Sequence, residues 1–409
     1  MLKDHPIKLL HITTVPGTLN FFRGQVGYMK TKGFEVHALS SPGEGLEQFG
    51  EREHIAVCSV EMPRRITPLK DLVALLSLWK RIRQIRPHIV HAHTPKGGLL
   101  GMVAATLTQT PVRIYHIHGL PMVTATGSKR TLLRWTEKIS CRLANQVLCV
   151  SHSVREVAIA EGLCPAAKVK TLLNGSVNGV DAQARFNPDR VGHLARLQTR
   201  AQHGMPAEGL VIGFVGRLVR DKGLVELSQA WQTLRREYPG LHLMVVGPFE
   251  PRDPVPADVK EALVSDPRVH LLGNDPNTPP LYSAMDIVIL PTYREGFPNV
   301  PMEAAAMGLP VVATDTPGCV EAVLHGMTGQ LVPARDSGAL AQAIKTYVDD
   351  PELRRRHGAA GRQRMLRDFH PEDIWEAVHQ EYRRLLRERG VSAPEPAVSE
   401  VSSSFGGVR

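Results

Sequence analysis

Two series of short apolar segments, each alternating with helical patterns, constrain this chain more than any other feature of its sequence. In the first half, apolar runs of strand length occupy residues 7–13, 34–40, 88–93, 112–116 and 146–151. Helical patterns lie between them, among them an amphipathic one at residues 69–86. A second series of the same kind begins at residue 210. Alternating strands and helices are typical of parallel sheets covered on both faces, so the sequence predicts an α/β fold with two doubly wound, Rossmann-like domains.

The segment at residues 172–198 interrupts this alternation. Within it, the run Asn-Gly-Ser-Val-Asn-Gly-Val-Asp at residues 174–181 is rich in turn-forming residues and suits a domain linker. We therefore expect an N-terminal domain, a C-terminal domain, a helix that returns to the N-terminal domain and a disordered tail, at residues 1–190, 205–370, 371–390 and 391–409. Ligands of doubly wound sheets bind at the carboxyl ends of the strands, so we expect the site in the cleft between the domains.

Charge is distributed unevenly between the two halves. Residues 1–190 contain 25 Lys and Arg against 13 Asp and Glu, whereas the remaining residues contain 24 against 27. Aromatic residues make up only 5% of the chain and do not interleave with the basic ones, so nucleic acid is not the expected partner. An anionic membrane surface explains a basic first half better. We expect a cytoplasmic protein that binds peripherally to the inner face of the cell membrane.

The cysteines and the apolar segments support that location. The five cysteines are scattered without a paired spacing, which favours a reducing compartment. No apolar stretch reaches the ~20 residues that a membrane-spanning helix needs.

Two loops of the second series carry the candidate chemistry. The first follows a predicted strand and contains Arg217 and Lys222, and the second contains Glu295 and, at the start of a predicted helix, Glu303. Two separated cations beside a helix N-terminus can bind a diphosphate. Taken singly, each residue also has a simpler explanation, such as a solvated loop charge or an acid in the first turn of a helix. Their positions at the same edge of one sheet favour a site.

These loops carry a family resemblance. Gly216-Arg217-Leu218, Lys222-Gly223 and Glu295-Gly296-Phe297 with Glu303 resemble the donor-site signature of retaining nucleotide-sugar glycosyltransferases of family four, which have the GT-B fold. The resemblance extends over about residues 5–390. The sequence at residues 91–99 and 116–129 is similar to the capsular polysaccharide and exopolysaccharide transferases of that family.

The resemblance implies a role for each matching residue. Arg217 and Lys222 would neutralise the donor diphosphate beside Gly216, and Glu303 would accept hydrogen bonds from the ribose. Glu295 would hold sugar hydroxyls, together with backbone groups of Phe297, Pro298, Asn299 and Val300. His118 matches the family's histidine near the transferred sugar. Gly17, after the first strand, would let the backbone approach the diphosphate or the acceptor, although other members have paired glycines there.

The resemblance also implies the reaction. A sugar would pass from a nucleotide diphosphate, UDP by family resemblance, to a hydroxyl of a polyprenyl-diphosphate-linked saccharide, with retention of the anomeric configuration. Positioned cations can stabilise the departing diphosphate. Because the chain contains no Asp-x-Asp triplet, we expect no catalytic divalent metal and no cofactor.

Two other classes of protein remain as alternatives. His91 with His93, and His116 with His118, form His-x-His pairs whose side chains share one face of a strand, so a zinc-dependent hydrolase is one of them. The other is a nucleotide-sugar-binding protein without catalytic activity. A dehydrogenase is disfavoured because the Gly-rich segment at residues 43–48 lacks the third glycine and follows the second strand.

Overall fold

The computed structural model describes residues 6–65, 67–250 and 253–391, and shows two parallel sheets. The predicted tail at residues 391–409 lies outside the described residues, except for Val391. The first sheet consists of β1 (Ile7–Ile12), β2 (Phe34–Ser40), β3 (Ala56–Ser59), β4 (Ile89–His93), β5 (Val112–Ile117), β6 (Gln146–Cys149) and β7 (Val169–Thr171). The second consists of β8 (Leu210–Val215), β9 (Leu241–Val246), β10 (Val269–Gly273), β11 (Ile287–Leu290), β12 (Val311–Thr314) and β13 (Gly329–Val332).

Helices connect the strands within and between the sheets. Those up to the end of the linking segment are α1 (Gln25–Thr31), α2 (Glu44–Glu53), α3 (Pro68–Ile85), α4 (Pro95–Leu107), α5 (Gly127–Leu143), α6 (His152–Ala160) and α7 (Pro188–Gln202). The others are α8 (Leu224–Glu237), α9 (Ala257–Val264), α10 (Thr278–Ala284), α11 (Asn299–Ala306), α12 (Cys319–Ala322), α13 (Ser337–Asp349), α14 (Pro351–Asp368) and α15 (Pro371–Glu388).

The strand order of both sheets reverses at one position. The orders are β3-β2-β1-β4-β5-β6-β7 and β10-β9-β8-β11-β12-β13, with every pair parallel. The reversal lies between β1 and β4 in the first sheet and between β8 and β11 in the second. These are the points at which open α/β sheets bind ligands. The predicted α/β class with two doubly wound, Rossmann-like sheets is confirmed.

The last helix, α15, packs against the first sheet although it follows the second in the chain. Its buried face carries Ile374, Val378, Tyr382 and Leu385 at helical spacing. The hydroxyl of Tyr382 lies 2.6 Å from Nδ1 of His91 on β4. The helix therefore links the C-terminal end of the chain to the centre of the first sheet.

One helix lies where the sequence predicted only a linker. Helix α7 occupies residues 188–202, and its Arg200 is completely buried. Arg200 donates hydrogen bonds to the carboxylate of Asp286 (2.8 Å) and to the carbonyl of Ala284 (3.0 Å). The helix is therefore held by polar contacts with the second domain, which hydrophobic periodicity does not reveal.

In the part of the chain that the structure describes, no helix is both long and apolar enough to cross a membrane.

Candidate active site between the two sheets

The loops after β8 and β11 lie against each other at the carboxyl edge of the second sheet. Gly223 ends the first loop with φ of +74°, and a Cβ atom at this position would lie 1.9 Å from the carbonyl oxygen of Pro291. Only glycine allows so close an approach. The backbone contact sets Lys222, the preceding residue, beside the loop that carries Glu295.

Each predicted diphosphate-binding cation is paired with a carboxylate. The ammonium of Lys222 contacts the carboxylate of Glu295, and both side chains are largely buried. The guanidinium of Arg217 donates to Glu250 at 2.9 Å, and its side chain is half exposed. A diphosphate that enters the site can therefore replace these carboxylates as the partner of the two cations. Sequence reasoning did not identify Glu250 as a partner of Arg217.

Glu303 lies on α11 and lines a cavity of about 500 Å³ between the two domains. Other residues around the cavity are Arg23, Asn178, Arg185, Asn299 and Trp375. The Tyr282 hydroxyl donates a hydrogen bond of 2.9 Å to the carboxylate of Glu303. Burial raises the pKa of Glu303 to about 7, and the Tyr282 hydrogen bond opposes that rise. The carboxylate of Glu303, held in place by Tyr282, therefore faces the interdomain cavity as a hydrogen-bond acceptor.

The first turn of α11 follows directly from the Glu295 loop. Phe297 and Pro298 are buried before the helix, and the Phe297 ring lies 5.5 Å from that of Phe369. The helix begins at Asn299, which is exposed, and continues through Val300. Amide groups in a first helical turn have no partner within the helix and are available to oxygen atoms of a ligand.

The Glu295 loop also touches the first domain. A Cβ atom on Gly296 would lie 2.0 Å from the carbonyl oxygen of His118 and 3.0 Å from a methyl carbon of Val150. The Ser151 hydroxyl, which caps α6, donates to the carbonyl of Gly296 at 2.8 Å. The two loops predicted to hold the transferred sugar, after β5 and after β11, are therefore in direct backbone contact.

His118 belongs to a cluster of five histidines at the carboxyl edge of the first sheet. The others are His11 on β1, His91 and His93 on β4, and His116 on β5. Strand register places them together, since His11 pairs with His91 and His93 pairs with His116. The two His-x-His pairs were recognisable in the sequence, but their contact with His11 was not. No local spacing relates residue 11 to residues 91–118.

Two groups of three histidines within the cluster are close enough together to hold a metal ion. Nitrogen atoms of His11, His91 and His93, and of His93, His116 and His118, lie within 4.8 Å of one another. No Asp or Glu belongs to either group among the described residues. Burial lowers the pKa of His11 to about 3 and that of His118 to about 4, and holds the pKa of the other three well below the usual range. Neutral imidazoles can bind a metal, but neither group, among the residues that the structure describes, includes a carboxylate to offset the charge of a buried dication.

The loop after β1 does not require its glycine in this structure. Gly17 lies in a 3₁₀ helix at Pro16–Phe22, and a Cβ atom there would meet nothing within 4 Å. Gly216, at the end of β8, has φ of +151° and precedes Arg217 directly.

Comparison with known proteins identifies both halves of the chain. Residues 17–175 match the model of the glycosyl transferase 4-like domain, and residues 209–350 match that of glycosyl transferases group 1. The capsular polysaccharide biosynthesis glycosyltransferase CapM of Staphylococcus aureus is 33% identical over 382 residues, which cover 93% of this chain and 98% of that protein. The UDP-Gal:alpha-D-GlcNAc-diphosphoundecaprenol alpha-1,3-galactosyltransferase of Escherichia coli is 24% identical, covering 85% and 89%.

Solved structures show the same architecture. A glycosyltransferase from Rickettsia africae superimposes with a TM-score of 0.77 at 20% identity, covering 93% of this chain and 99% of that one. Anabaena Alr3699/HepE in complex with UDP and glucose has a TM-score of 0.76 at 20% identity and covers 93% and 100%. Together with the match to CapM over nearly its whole length, the two domain models show that this chain belongs to the group 1, family 4-like glycosyltransferases of the GT-B fold.

Proposed function

We propose that this glycosyltransferase moves a sugar from a UDP-sugar to a hydroxyl of a polyprenyl-diphosphate-linked saccharide in surface polysaccharide synthesis, with retention of configuration. The observation that carries the proposal is the arrangement of Arg217, Lys222 and Glu303 at the carboxyl edge of the second sheet, with Glu303 on an interdomain cavity. The Escherichia coli relative is named for a UDP-linked donor and a diphosphoundecaprenol-linked acceptor, which supports the same classes here.

The donor is held by its charged and hydroxyl groups. Lys222 leaves the carboxylate of Glu295 and binds the diphosphate. Arg217 likewise leaves Glu250 and binds the diphosphate. The carboxylate of Glu303, fixed by Tyr282, accepts hydrogen bonds from the ribose. Glu295, released from Lys222, binds hydroxyls of the sugar, with the backbone of residues 297–300 beside it.

The reaction places negative charge on the departing diphosphate. The two cations and the first turn of α11 stabilise that charge, and the proposed catalysis uses no divalent metal. The departing phosphate oxygen takes the proton of the attacking hydroxyl on the same face of the sugar, so no carboxylate acts as a nucleophile. A glycosyl adduct trapped on Glu295 would contradict this mechanism.

The acceptor side is proposed to rest on a membrane. On α3, Leu69, Leu72, Val73 and Leu76 are between 55% and 83% exposed and form one stripe at helical spacing. On α5, Leu132, Trp135 and Ile139 form a second exposed stripe. Both helices pack against α4, so the two stripes lie on either side of it. Exposed cations flank the stripes at Arg64, Arg65, Lys70, Lys80, Arg83, Lys129 and Lys138, the pattern of a surface that binds anionic lipid.

The proposed donor site is tested by a panel of nucleotide sugars added to the purified protein. We expect one UDP-sugar to raise the melting temperature, and Arg217→Ala to remove most of that shift. Stabilisation by GDP- or ADP-linked sugars in place of UDP-linked ones would contradict the choice of base.

Affinity for the UDP-sugar should fall about tenfold between pH 8 and pH 6. The pKa of Glu303 is raised to about 7, so lowering the pH protonates the carboxylate that accepts hydrogen bonds from the ribose. Titration calorimetry at several pH values measures the effect. The intact donor is the right ligand, because the terminal phosphate of free UDP itself titrates near pH 6. Glu303→Gln should bind weakly at every pH, and a pH slope that survives in this variant would contradict the assignment.

Binding to vesicles that contain phosphatidylglycerol should depend on the α3 stripe. Replacing Leu69, Leu72 and Leu76 together by Ser should weaken sedimentation with these vesicles at least about tenfold, because three apolar side chains no longer enter the lipid. Val264→Ser with Met327→Ser removes equally exposed apolar side chains from the second domain and should change nothing. Equal effects of the two sets, or failure of the unmodified protein to bind at any salt concentration, would contradict the membrane proposal.

A further inference from the structure

The ring of His118 is held by a chain of buried imidazoles. Its Nε2 lies 2.9 Å from Nδ1 of His93, and Nε2 of His93 lies 3.1 Å from Nδ1 of His11. His93 is completely buried, and His11 is 2% exposed. His93 therefore uses both ring nitrogens, one for His118 and one for His11.

A chain of neutral imidazoles has a direction. Burial disfavours the protonated form of all three rings, so each carries one N–H and one lone pair. Each contact joins an N–H of one ring to a lone pair of the next. The tautomer of His93 therefore fixes the tautomers of both neighbours. In either direction the chain occupies Nε2 of His118. Its Nδ1 is shielded from solvent and has no hydrogen-bond partner in the described part of the chain, so it is the ring nitrogen that the chain of imidazoles leaves unpaired.

We propose that His93 is a positioning residue for the transfer reaction: through Nδ1 it fixes the ring and the tautomer of His118, and through Nε2 it is fixed by His11. The proposal rests on the proposed function, since it assumes that His118 contacts the transferred sugar. The same geometry argues against a metal in the cluster. An ion bound to His93 would take a lone pair that now serves one of the two hydrogen bonds.

Two substitutions of one residue separate the two contacts. The amide of Asn places a polar atom near the position of Nδ1 of histidine, whereas the longer Gln side chain places it near Nε2. His93→Asn therefore keeps the contact with His118, and His93→Gln keeps only that with His11. We expect kcat of His93→Asn within about threefold of the unmodified enzyme, and kcat of His93→Gln lower by about tenfold to hundredfold, as for a buried group left unpaired. KM for the donor should change little in either.

The controls address packing and metal. His242→Gln disrupts a histidine pair in the second domain and should leave kcat unchanged. The contact joins Nδ1 of His242 to Nε2 of His270 at 3.0 Å, and Gln has no polar atom near the position of Nδ1. Equal kcat values for His93→Asn and His93→Gln would show that His93 only fills space and would overturn the proposal. One equivalent of zinc, retained by the purified protein and lost in His93→Phe, would overturn it as well.

Folding and function are checked separately. If either variant fails to fold, ¹⁵N chemical shifts of the ring nitrogens in the unmodified protein replace the kinetic test, with His118→Asn assigning the His118 signals. A single neutral tautomer of His118 with a hydrogen-bonded Nε2 is expected at pH 7, and averaged or protonated rings would overturn the proposal. If His118→Ala transfers sugar at the normal rate, the role of His118 in the proposed function fails, whatever the His93 variants do.

Discussion

Replacing Lys222 by Ala should lower the rate of sugar transfer by about 100- to 1,000-fold, the loss of about 2.7–4 kcal/mol of transition-state stabilisation. The ammonium is largely buried at the carboxyl edge of the second sheet, where water screens its charge poorly. Negative charge develops on the departing diphosphate, so most of the loss should appear in kcat. Initial rates at saturating donor measure it directly.

The ion pair with Glu295 complicates that experiment, because Lys222→Ala leaves a carboxylate without its partner. The double variant Lys222→Ala with Glu295→Gln removes the unpaired charge. If Lys222 acts on the diphosphate, the double variant stays as slow as the slower single variant. Lys345→Ala breaks an exposed ion pair with Glu237 (2.6 Å) and should leave the rate unchanged. Recovery of the rate in the double variant would show that Lys222 serves only to neutralise Glu295.

The second large effect is expected from Gly296→Ala, which should reduce transfer at least about 100-fold. The added methyl group would lie 2.0 Å from the carbonyl oxygen of His118, so the loop after β11 must separate from the loop after β5. Displacing reacting groups by about 1 Å is enough to lose two orders of magnitude in rate. Donor affinity should fall less, because the contacts that place Glu303 (with Tyr282) and Lys222 (through Gly223 on Pro291) lie within the second domain and do not include Gly296.

Gly240→Ala is the matched control for that substitution. Gly240 lies in the turn before β9, has no positive φ, and a Cβ atom there would meet nothing within 4 Å. The activity and melting temperature of the Gly240→Ala variant should match those of the unmodified protein. Normal transfer by Gly296→Ala would mean that the contact between the two loops is not part of the reacting geometry.

Much of the fold followed from the sequence because its strands are buried on both faces. Such strands form continuous apolar runs, and β2 lies at the predicted residues. Helix α7 was missed because Arg200 and Asp286 hold it through a buried ion pair rather than an apolar stripe. The short strand β3 was missed as well, since its four residues are too few to show a period.

The site was predictable only in part. Arg217, Lys222, Glu295 and Glu303 were identified from two local motifs, and the structure brings Lys222 and Glu295 into contact. The partners that fix these residues lie far away in the chain. Tyr282 precedes Glu303 by 21 residues, and His11 precedes His93 by 82. The packing of α10 against the start of α11 brings the first pair together, and the pairing of β1 with β4 brings the second. Spacing in the sequence carries no signal for such contacts.

The most direct test of the proposed function is a transfer assay with the purified full chain, UDP-sugars and a polyprenyl-diphosphate-linked saccharide. Mass spectrometry and analysis of the new glycosidic bond follow the product. We expect release of UDP, a lipid-linked product heavier by one sugar, the same anomeric configuration as in the donor, and activity that persists in EDTA. A product of inverted configuration would contradict the mechanism, and no transfer or hydrolysis of any nucleotide sugar across the panel would contradict the proposed function.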